Sequence, residues 1–293
     1  MTLTGFVLLY IAATIAIGVI AATRVKNTSD FALAGRSLPL PMVITATFAT
    51  WFGSETILGL PGRFIESGIA GVIEEPFGSG MALILVGTFF AHKLYKQNIL
   101  TLGDYYRDRY GRSVELLCSV AIVISYLGWV GAQVTALGLV INLITEGAVS
   151  MTTGMVIGAA VVLAYTMVGG MWSVAMTDFV QMIVIVVGLV AILWFATDLA
   201  GGMDKVVDYA RGRDLFHAFP EPTTTGWLFW ISAAMTMMIG SIPQQDVFQR
   251  VMSAKNLPTA VAGPILGGSF YILFAFVPMF IVVAAKIGRA SCR

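Results

Sequence analysis

Eight long apolar runs, separated by short polar stretches, cover most of this 293-residue chain. They occupy residues 5–23, 41–65, 77–91, 116–144, 153–168, 172–197, 227–252 and 260–285. About 20 apolar residues are enough for a helix to cross the hydrocarbon core of a bilayer. The runs lack the alternation of apolar and polar residues that is typical of barrel strands. They therefore predict an all-α polytopic membrane protein with about eight transmembrane helices.

The composition excludes several other classes of protein. Hydrophobic residues make up 58% of the chain and charged residues only 11%, whereas soluble domains are about 25% charged. Disordered chains are polar and charged, and two cysteines are too few for a disulfide scaffold. The net charge of +1 gives no basic bias toward nucleic acid.

No motif of an enzyme or a metal centre stands out. The chain has no phosphate-binding Gly-Lys-Ser/Thr loop and no triad of nucleophile, base and acid. Its two histidines, His92 and His217, fall in loops on opposite sides of the predicted membrane, which argues against a metal site. We therefore expect neither an enzymatic activity nor a cofactor.

The basic residues predict how the chain is oriented. No Lys or Arg precedes the first apolar run, and Arg24 and Lys26 follow it directly, which favours a retained helix with its N-terminus outside. With that orientation, the inner loops carry more Lys and Arg than the outer side. We expect a multi-pass protein of the inner or plasma membrane.

Two of the apolar runs are interrupted, at residues 49–62 and 238–246. Each interruption contains a Gly-Ser pair followed by a proline. Unwound backbone at membrane depth is tolerated where it lines a cavity or is buried in protein. The interruptions fall at corresponding positions of two five-helix units, which indicates a midplane binding site in an inverted-repeat transporter. The alternative is that glycine and proline only kink the two helices.

Acidic residues near the interruptions are candidates for function. Glu55 lies within the first one, where a carboxylate is costly unless it is paired or hydrated; the alternative is that it faces a water-filled vestibule. Asp178 and Gln181 share a helix face that could pass a cation toward the cytoplasm, although Asp178 could also be a helix-start carboxylate. We expect the remaining outer acidic residues to form a solvated rim: Glu66, Glu74 and Glu75.

Several motifs together identify a family. They are residues 34–38 (AGRSL), 49–55 (ATWFGSE), 59–62 (GLPG), 101–111 (TLGDYYRDRYG), 165–181 and 242–250. In these motifs the chain resembles the sodium:solute symporter family, which includes proline, pantothenate, sugar and choline symporters. The resemblance extends from Gly5 to about Ala285. It implies a LeuT-type fold with a leading helix and two inverted five-helix repeats.

The resemblance also implies a domain organisation. We expect a single transmembrane transporter domain over residues 1–286, with a leading helix at 3–24, a first repeat at about 40–198 and a partial second repeat at about 226–286. The second repeat looks incomplete, as in a symporter cut off partway. Residues 287–293 (IGRASCR) look like a non-native tail, the alternative being an ordinary polar end.

A sodium site is implied in the same way. Na⁺ would be the coupling ion, bound by the backbone carbonyls of Ala49 and Phe52, with Asp178 on its exit route. The remaining hydroxyl ligands would lie on a helix beyond residue 293. Hard oxygen ligands of this kind suit Na⁺.

The implied substrate region combines both interruptions with the fourth run. Its residues are Trp51, Gly53, Ser54, Glu55, Thr56, Trp129, Gln133, Gly240, Ser241 and Gln244. The local motifs are similar to the choline branch, which holds a quaternary ammonium in an aromatic cage. Trp51 and Trp129 match cage positions, but Gln244 stands where that branch has a tryptophan. We therefore expect a small polar or zwitterionic organic solute.

The sequence thus predicts a sodium-coupled secondary active symporter that imports such a solute by alternating access. The alternative is a transporter-like sensor module of a membrane histidine kinase, which a kinase core further along the chain would favour. A membrane-embedded enzyme is the least supported reading.

Overall fold

The computed structural model describes residues 3–291, with side-chain placement for residues 4–288. Within this range the chain is helical and forms no strand, which confirms the predicted all-α fold class. Its α-helices are α1 (Leu3–Ala22), α2 (Thr28–Leu33), α3 (Leu40–Trp51), α4 (Leu60–Ser67), α5 (Ser79–Leu85), α6 (Ala91–Tyr95), α7 (Leu102–Tyr110), α8 (Arg112–Ile144), α9 (Met151–Leu199), α10 (Met203–Gly212), α11 (Thr224–Gly240), α12 (Gln245–Met252), α13 (Leu257–Phe274) and α14 (Phe276–Ser291).

Most predicted spans correspond to long apolar helical stretches. Among the described residues, five such stretches are long and apolar enough to cross a membrane, and α11 with α12 makes a sixth, bent by 45°. The 49-residue α9 would measure about 74 Å if it were straight, more than twice the thickness of the hydrocarbon core. Gly170, with φ of 50° and ψ of −139°, interrupts it and separates the fifth and sixth apolar runs. The number of spans is thus consistent with about eight.

The first predicted interruption is confirmed. Helix α3 ends at Trp51, and Phe52 has non-helical dihedral angles of −78° and 78°. The chain resumes as a π-helical turn over Glu55–Gly59 and continues into α4, where a proline stands in the first turn. Proline has no N–H to donate, which is consistent with the irregular hydrogen bonding of this stretch.

The second predicted interruption is confirmed as well. Helix α11 ends at Gly240, and α12 begins at Gln245. Between them, Gln244 is extended, with φ of −83° and ψ of 139°. Pro243 precedes it; its ring fixes φ, and it has no N–H to donate to a helical carbonyl.

Helix α3 lies at the centre of the main hydrophobic core. Phe48 is fully buried and stacks on Phe52 with ring centroids 4.7 Å apart. Helix α13 approaches α3 closely through glycines: a Cβ atom on Gly263 would collide with Val43, and one on Gly267 with Thr47. Small residues at such contacts allow membrane helices to pack backbone to backbone.

The segments next to α3 and α12, one from each broken helix, are joined through backbone groups. The Leu38 N–H donates to the Ser253 carbonyl at 3.0 Å, and the Lys255 N–H donates to the Leu38 carbonyl at 3.0 Å. Arg250 Nε also donates to the Ala46 carbonyl at 2.8 Å. Helices α3 and α12 are therefore fastened together at this end of the molecule.

The outer surface of the long helices is apolar. On α9, for example, Trp194 is 74% exposed and Leu199 is 82% exposed. Exposed apolar surface of this extent is typical of contact with lipid or with further membrane helices. Of the predicted tail, residues 287–291 continue α14, while Cys292 and Arg293 lie outside the described residues.

Candidate functional site

A cavity of about 380 Å³ lies between the two helix interruptions. Its lining includes four of the predicted substrate residues: Trp51, Glu55, Trp129 and Gln244. Its other lining residues are Gly59, Arg63, Glu74, Glu75, Ser125, Tyr126, Met237 and Asp246. Residues that are far apart in sequence thus meet at one polar cavity beside broken backbone.

The other predicted substrate residues lie beside this cavity without being part of its lining. Gln133 reaches the first interruption, where its Oε1 accepts hydrogen bonds from Ser54 Oγ at 2.9 Å and from the Ser54 N–H at 3.4 Å. Gly53 lies close to the same amide, because a Cβ atom there would be 3.3 Å from Gln133 Oε1. This arrangement gives Gln133 a role in satisfying the unwound backbone.

In the second interruption, Gly240 and Ser241 lie where α11 ends. Ser241 is buried, and its hydroxyl points to Met237 Sδ at 3.9 Å. Neither residue belongs to the cavity lining, so their predicted contact with substrate stays a prediction.

The expectation of a solvated rim is wrong for Glu75. Its side chain is buried, with 4% of the residue surface exposed. Glu75 Oε1 accepts hydrogen bonds from Tyr271 Oη at 2.6 Å and from Thr56 Oγ1 at 2.9 Å, and its Oε2 lies 3.8 Å from Arg63 Nη2. A predicted substrate residue, Thr56, therefore connects the first interruption to this buried carboxylate.

Local backbone geometry explains the difference between neighbouring acidic residues. Glu75 leaves the helical region, with φ of −141° and ψ of 124°, and turns toward the interior. The residue before a proline avoids helical dihedrals because of a clash with the proline ring, and Pro76 follows Glu75. That proline is a sequence signal for the departure from helical backbone at Glu75, but it does not predict that the side chain is buried. Glu74, by contrast, stays partly exposed and pairs with Arg63 at 3.5 Å.

The backbone around the predicted sodium ligands departs from helical hydrogen bonding. The Gly53 N–H donates to the Trp51 carbonyl at 2.8 Å, and the Ser54 N–H donates to Gln133. In an uninterrupted helix these two groups would donate to the carbonyls of residues 49 and 50. The Ala49 carbonyl thus loses its helical donor, and the carbonyl of Phe52 lies at a non-helical residue.

Asp178 is not part of the cavity, and one of its oxygens is isolated. The residue is partly exposed overall, but Oδ2 is buried and makes no hydrogen bond within the described part of the chain. A buried carboxylate oxygen without a donor is costly and needs a counter-ion or a proton. Residues 4–288 contain no cluster of three or more His, Cys, Asp or Glu residues that could hold a metal ion.

Comparison with known proteins agrees with this architecture. A model of the sodium:solute symporter family matches residues 31–290. The chain belongs to the sodium:solute symporter family. High-affinity choline transporter 1 of Caenorhabditis elegans is 29% identical over 263 residues, which cover 88% of this chain and 44% of the relative. The human high affinity choline transporter 1 is 30% identical over 82% of this chain and 42% of its own length.

Two further comparisons extend this result. Sodium/glucose cotransporter 4 of Danio rerio is 27% identical over 97% of this chain and 46% of its own length. A solved structure of a Na⁺-coupled sialic acid symporter, in its substrate-bound outward-open state, superposes with a TM-score of 0.82 at 20% identity. The superposition covers 96% of this chain and 59% of the sialic acid symporter chain, so the two chains share the fold. The chain spans about half the length of the curated relatives it matches.

These findings confirm the resemblance and the membrane fold. This symporter-family chain is a multi-pass membrane protein, and its relatives are named as transporters, in agreement with the expectation that it is not an enzyme.

Proposed function

We propose that this chain takes part in sodium-coupled import of a small polar or zwitterionic organic solute by alternating access. The observation that carries the proposal is the cavity of about 380 Å³ between two interrupted helices. Unwound backbone at such a place supplies carbonyls for a cation, and half-helix ends supply dipoles for a polar solute. The membrane would be the inner or plasma membrane, with the N-terminus outside.

Na⁺ would be the coupling ion in this proposal. The carbonyls of Ala49 and Phe52 lie where helical hydrogen bonding is lost, so they are available as hard oxygen ligands. Asp178 would attract the ion on its way to the cytoplasm, since Oδ2 is buried without a donor.

The character of the solute follows from the lining of the cavity. Charged and amide side chains, including Glu55 and Gln244, face it together with Trp51 and Trp129. An apolar solute would leave those polar groups unsatisfied, which is costly once water is displaced. The relatives named as choline and sodium/glucose transporters also point to small polar organic solutes. No feature of residues 3–291 favours the kinase-linked sensor alternative.

Uptake into proteoliposomes by the complete symporter, with the whole second repeat and the remaining sodium ligands, tests the proposal. We expect radiolabelled solute to accumulate under an inward Na⁺ gradient and not under an equal K⁺ gradient. Asp178→Asn should reduce the sodium-driven component. Asp198→Asn is the matched control, because Asp198 is an exposed carboxylate on the same helix α9. Equal uptake in both salts would contradict sodium coupling, and an unaffected Asp178→Asn variant would contradict the exit route.

A further inference from the structure

The cavity between the helix interruptions carries an excess of negative charge. Four carboxylates line it, and the guanidinium of Arg63 is the one basic side chain in its lining. Arg63 is already shared between Glu74 at 3.5 Å and Glu75 at 3.8 Å. A cavity lined mainly by one sign of charge attracts ligands of the opposite sign. The lining therefore favours a cation over a neutral or anionic solute.

One of these carboxylates has no partner of its own. Glu75 accepts from Tyr271 and Thr56, and Asp246 Oδ1 accepts from Tyr126 Oη at 2.6 Å. The Glu55 side chain, in contrast, is exposed and makes no hydrogen bond or ion pair with residues 4–288. Glu55 is thus the carboxylate that can accept hydrogen bonds from a bound solute without losing existing ones.

A second and independent observation points to a ligand at the same place. Trp51 lines the cavity, is only 8% exposed, and its indole Nε1–H has no hydrogen-bond partner within the described residues. Buried indole N–H groups usually find an acceptor, because an unpaired buried donor is costly. Because Nε1 itself is buried, a rotation of the indole toward the cavity would be needed for an oxygen atom on a bound solute to supply that acceptor.

We propose that the solute is an organic cation whose ammonium nitrogen carries N–H donors and whose skeleton carries an acceptor oxygen. Glu55 is its counter-ion, and Trp51 donates to its oxygen. This inference rests on the proposed function, because it concerns the solute of the same cavity, and it narrows the polar or zwitterionic class proposed there to a polar cation.

The arrangement disfavours two neighbouring chemical classes. A quaternary ammonium has no N–H donors, so it would displace water from Glu55 and Gln244 without replacing the lost hydrogen bonds. A zwitterion would bring its carboxylate among Glu74 and Glu75, which already occupy Arg63. An ammonium cation without a carboxylate avoids both penalties.

A panel of four small probes tests the proposal on the unaltered 293-residue chain in lipid nanodiscs. Ethanolamine carries the ammonium and the oxygen, choline replaces the N–H donors by methyl groups, serine adds a carboxylate, and ethylene glycol removes the charge. Binding is measured by calorimetry and by tryptophan fluorescence, since Trp51 and Trp129 line the cavity. We expect ethanolamine to bind about tenfold more tightly than each of the others, as for one charge-assisted hydrogen bond.

A variant at Glu55 tests whether this carboxylate is responsible for the preference for ethanolamine. Glu55→Gln should weaken ethanolamine binding about tenfold while leaving ethylene glycol unchanged. Glu66→Gln is the matched control, because Glu66 is an exposed carboxylate on α4 outside the cavity lining. If Glu55→Gln fails to fold, the probe panel on the unaltered chain decides by itself.

Three results would overturn the inference: no ethanolamine binding, a competitor that binds equally well, or an unaffected Glu55→Gln variant. Sodium dependence separates it from the proposed function. An amine preference that is equal in NaCl and KCl supports this inference, and the same result with the complete symporter contradicts sodium coupling. Sodium-dependent binding of serine in preference to ethanolamine supports sodium coupling and contradicts this inference.

Discussion

Replacing Tyr271 with phenylalanine removes one hydroxyl from the buried network around Glu75. That hydroxyl donates to Glu75 Oε1 at 2.6 Å and lies 3.1 Å from Thr56 Oγ1. The ring itself is fully buried and packs edge-on against Phe48 and Phe52, contacts that phenylalanine keeps. The change in unfolding free energy therefore reports the hydroxyl alone.

The expected magnitude depends on whether Glu75 is ionised. A hydrogen bond to a charged acceptor contributes about 1.5–3 kcal/mol, whereas neutral bonds between membrane helices average about 0.6 kcal/mol. Burial of Glu75 disfavours its charged form, whereas the two hydroxyl donors and Arg63 favour it. With a charged Glu75 as the hypothesis under test, we expect Tyr271→Phe to cost about 2 kcal/mol. In a Glu75→Gln background the same replacement should cost about 1 kcal/mol less, because the acceptor is then a neutral amide.

Reversible unfolding by steric trapping in bicelles measures both values, in the double-mutant cycle that isolates the pair. Tyr209→Phe is the control, since the Tyr209 hydroxyl makes no hydrogen bond within residues 4–288 and its ring lies against Arg213. A cost of about 0.6 kcal/mol or less, unchanged by Glu75→Gln, would refute a charged Glu75 held by Tyr271.

Two further substitutions test the packing and the interruption of α3. Gly267→Ala should destabilise the protein by about 1–3 kcal/mol, because the added Cβ collides with Thr47. Gly188→Ala is the control, because its Cβ would meet open space and should change the unfolding free energy little. Equal costs for both variants would contradict the close approach of α13 to α3. Ser54→Ala removes the hydroxyl that donates to Gln133. It should lower the unfolding free energy by about 0.5–1.5 kcal/mol and impair sodium-driven uptake. Unchanged stability and uptake would be evidence against a role of that hydrogen bond in shaping the interruption.

The sequence was sufficient to predict the features that depend on local composition. Apolar length predicts spans, and Gly-Ser followed by proline predicts both interruptions. Proline lacks an N–H and clashes with the preceding turn in a helix interior, and glycine adopts non-helical backbone readily. The boundary between the fifth and sixth runs likewise coincides with Gly170, whose positive φ favours glycine.

Features that depend on distant partners could not be predicted in the same way. Glu75 was misplaced because its burial depends on Tyr271, 196 residues away, and on Thr56. Gln133 is predicted to belong to the substrate region, and this stays a prediction. The hydrogen bond that its Oε1 accepts from Ser54, 79 residues away, could not be predicted from the sequence. Such pairings follow from the way helices pack, and a single sequence carries little information about that.

The joint between α3 and α12 has a consequence for genetics. Two of its hydrogen bonds join the backbone of Leu38 to the backbone of Ser253 and Lys255. Alanine retains both the N–H and the carbonyl, so an alanine scan would not report these two hydrogen bonds. At Leu38 it would report the loss of a fully buried side chain instead. Only a replacement that removes the N–H itself, such as proline at Leu38 or Lys255, would expose how much of the protein depends on it.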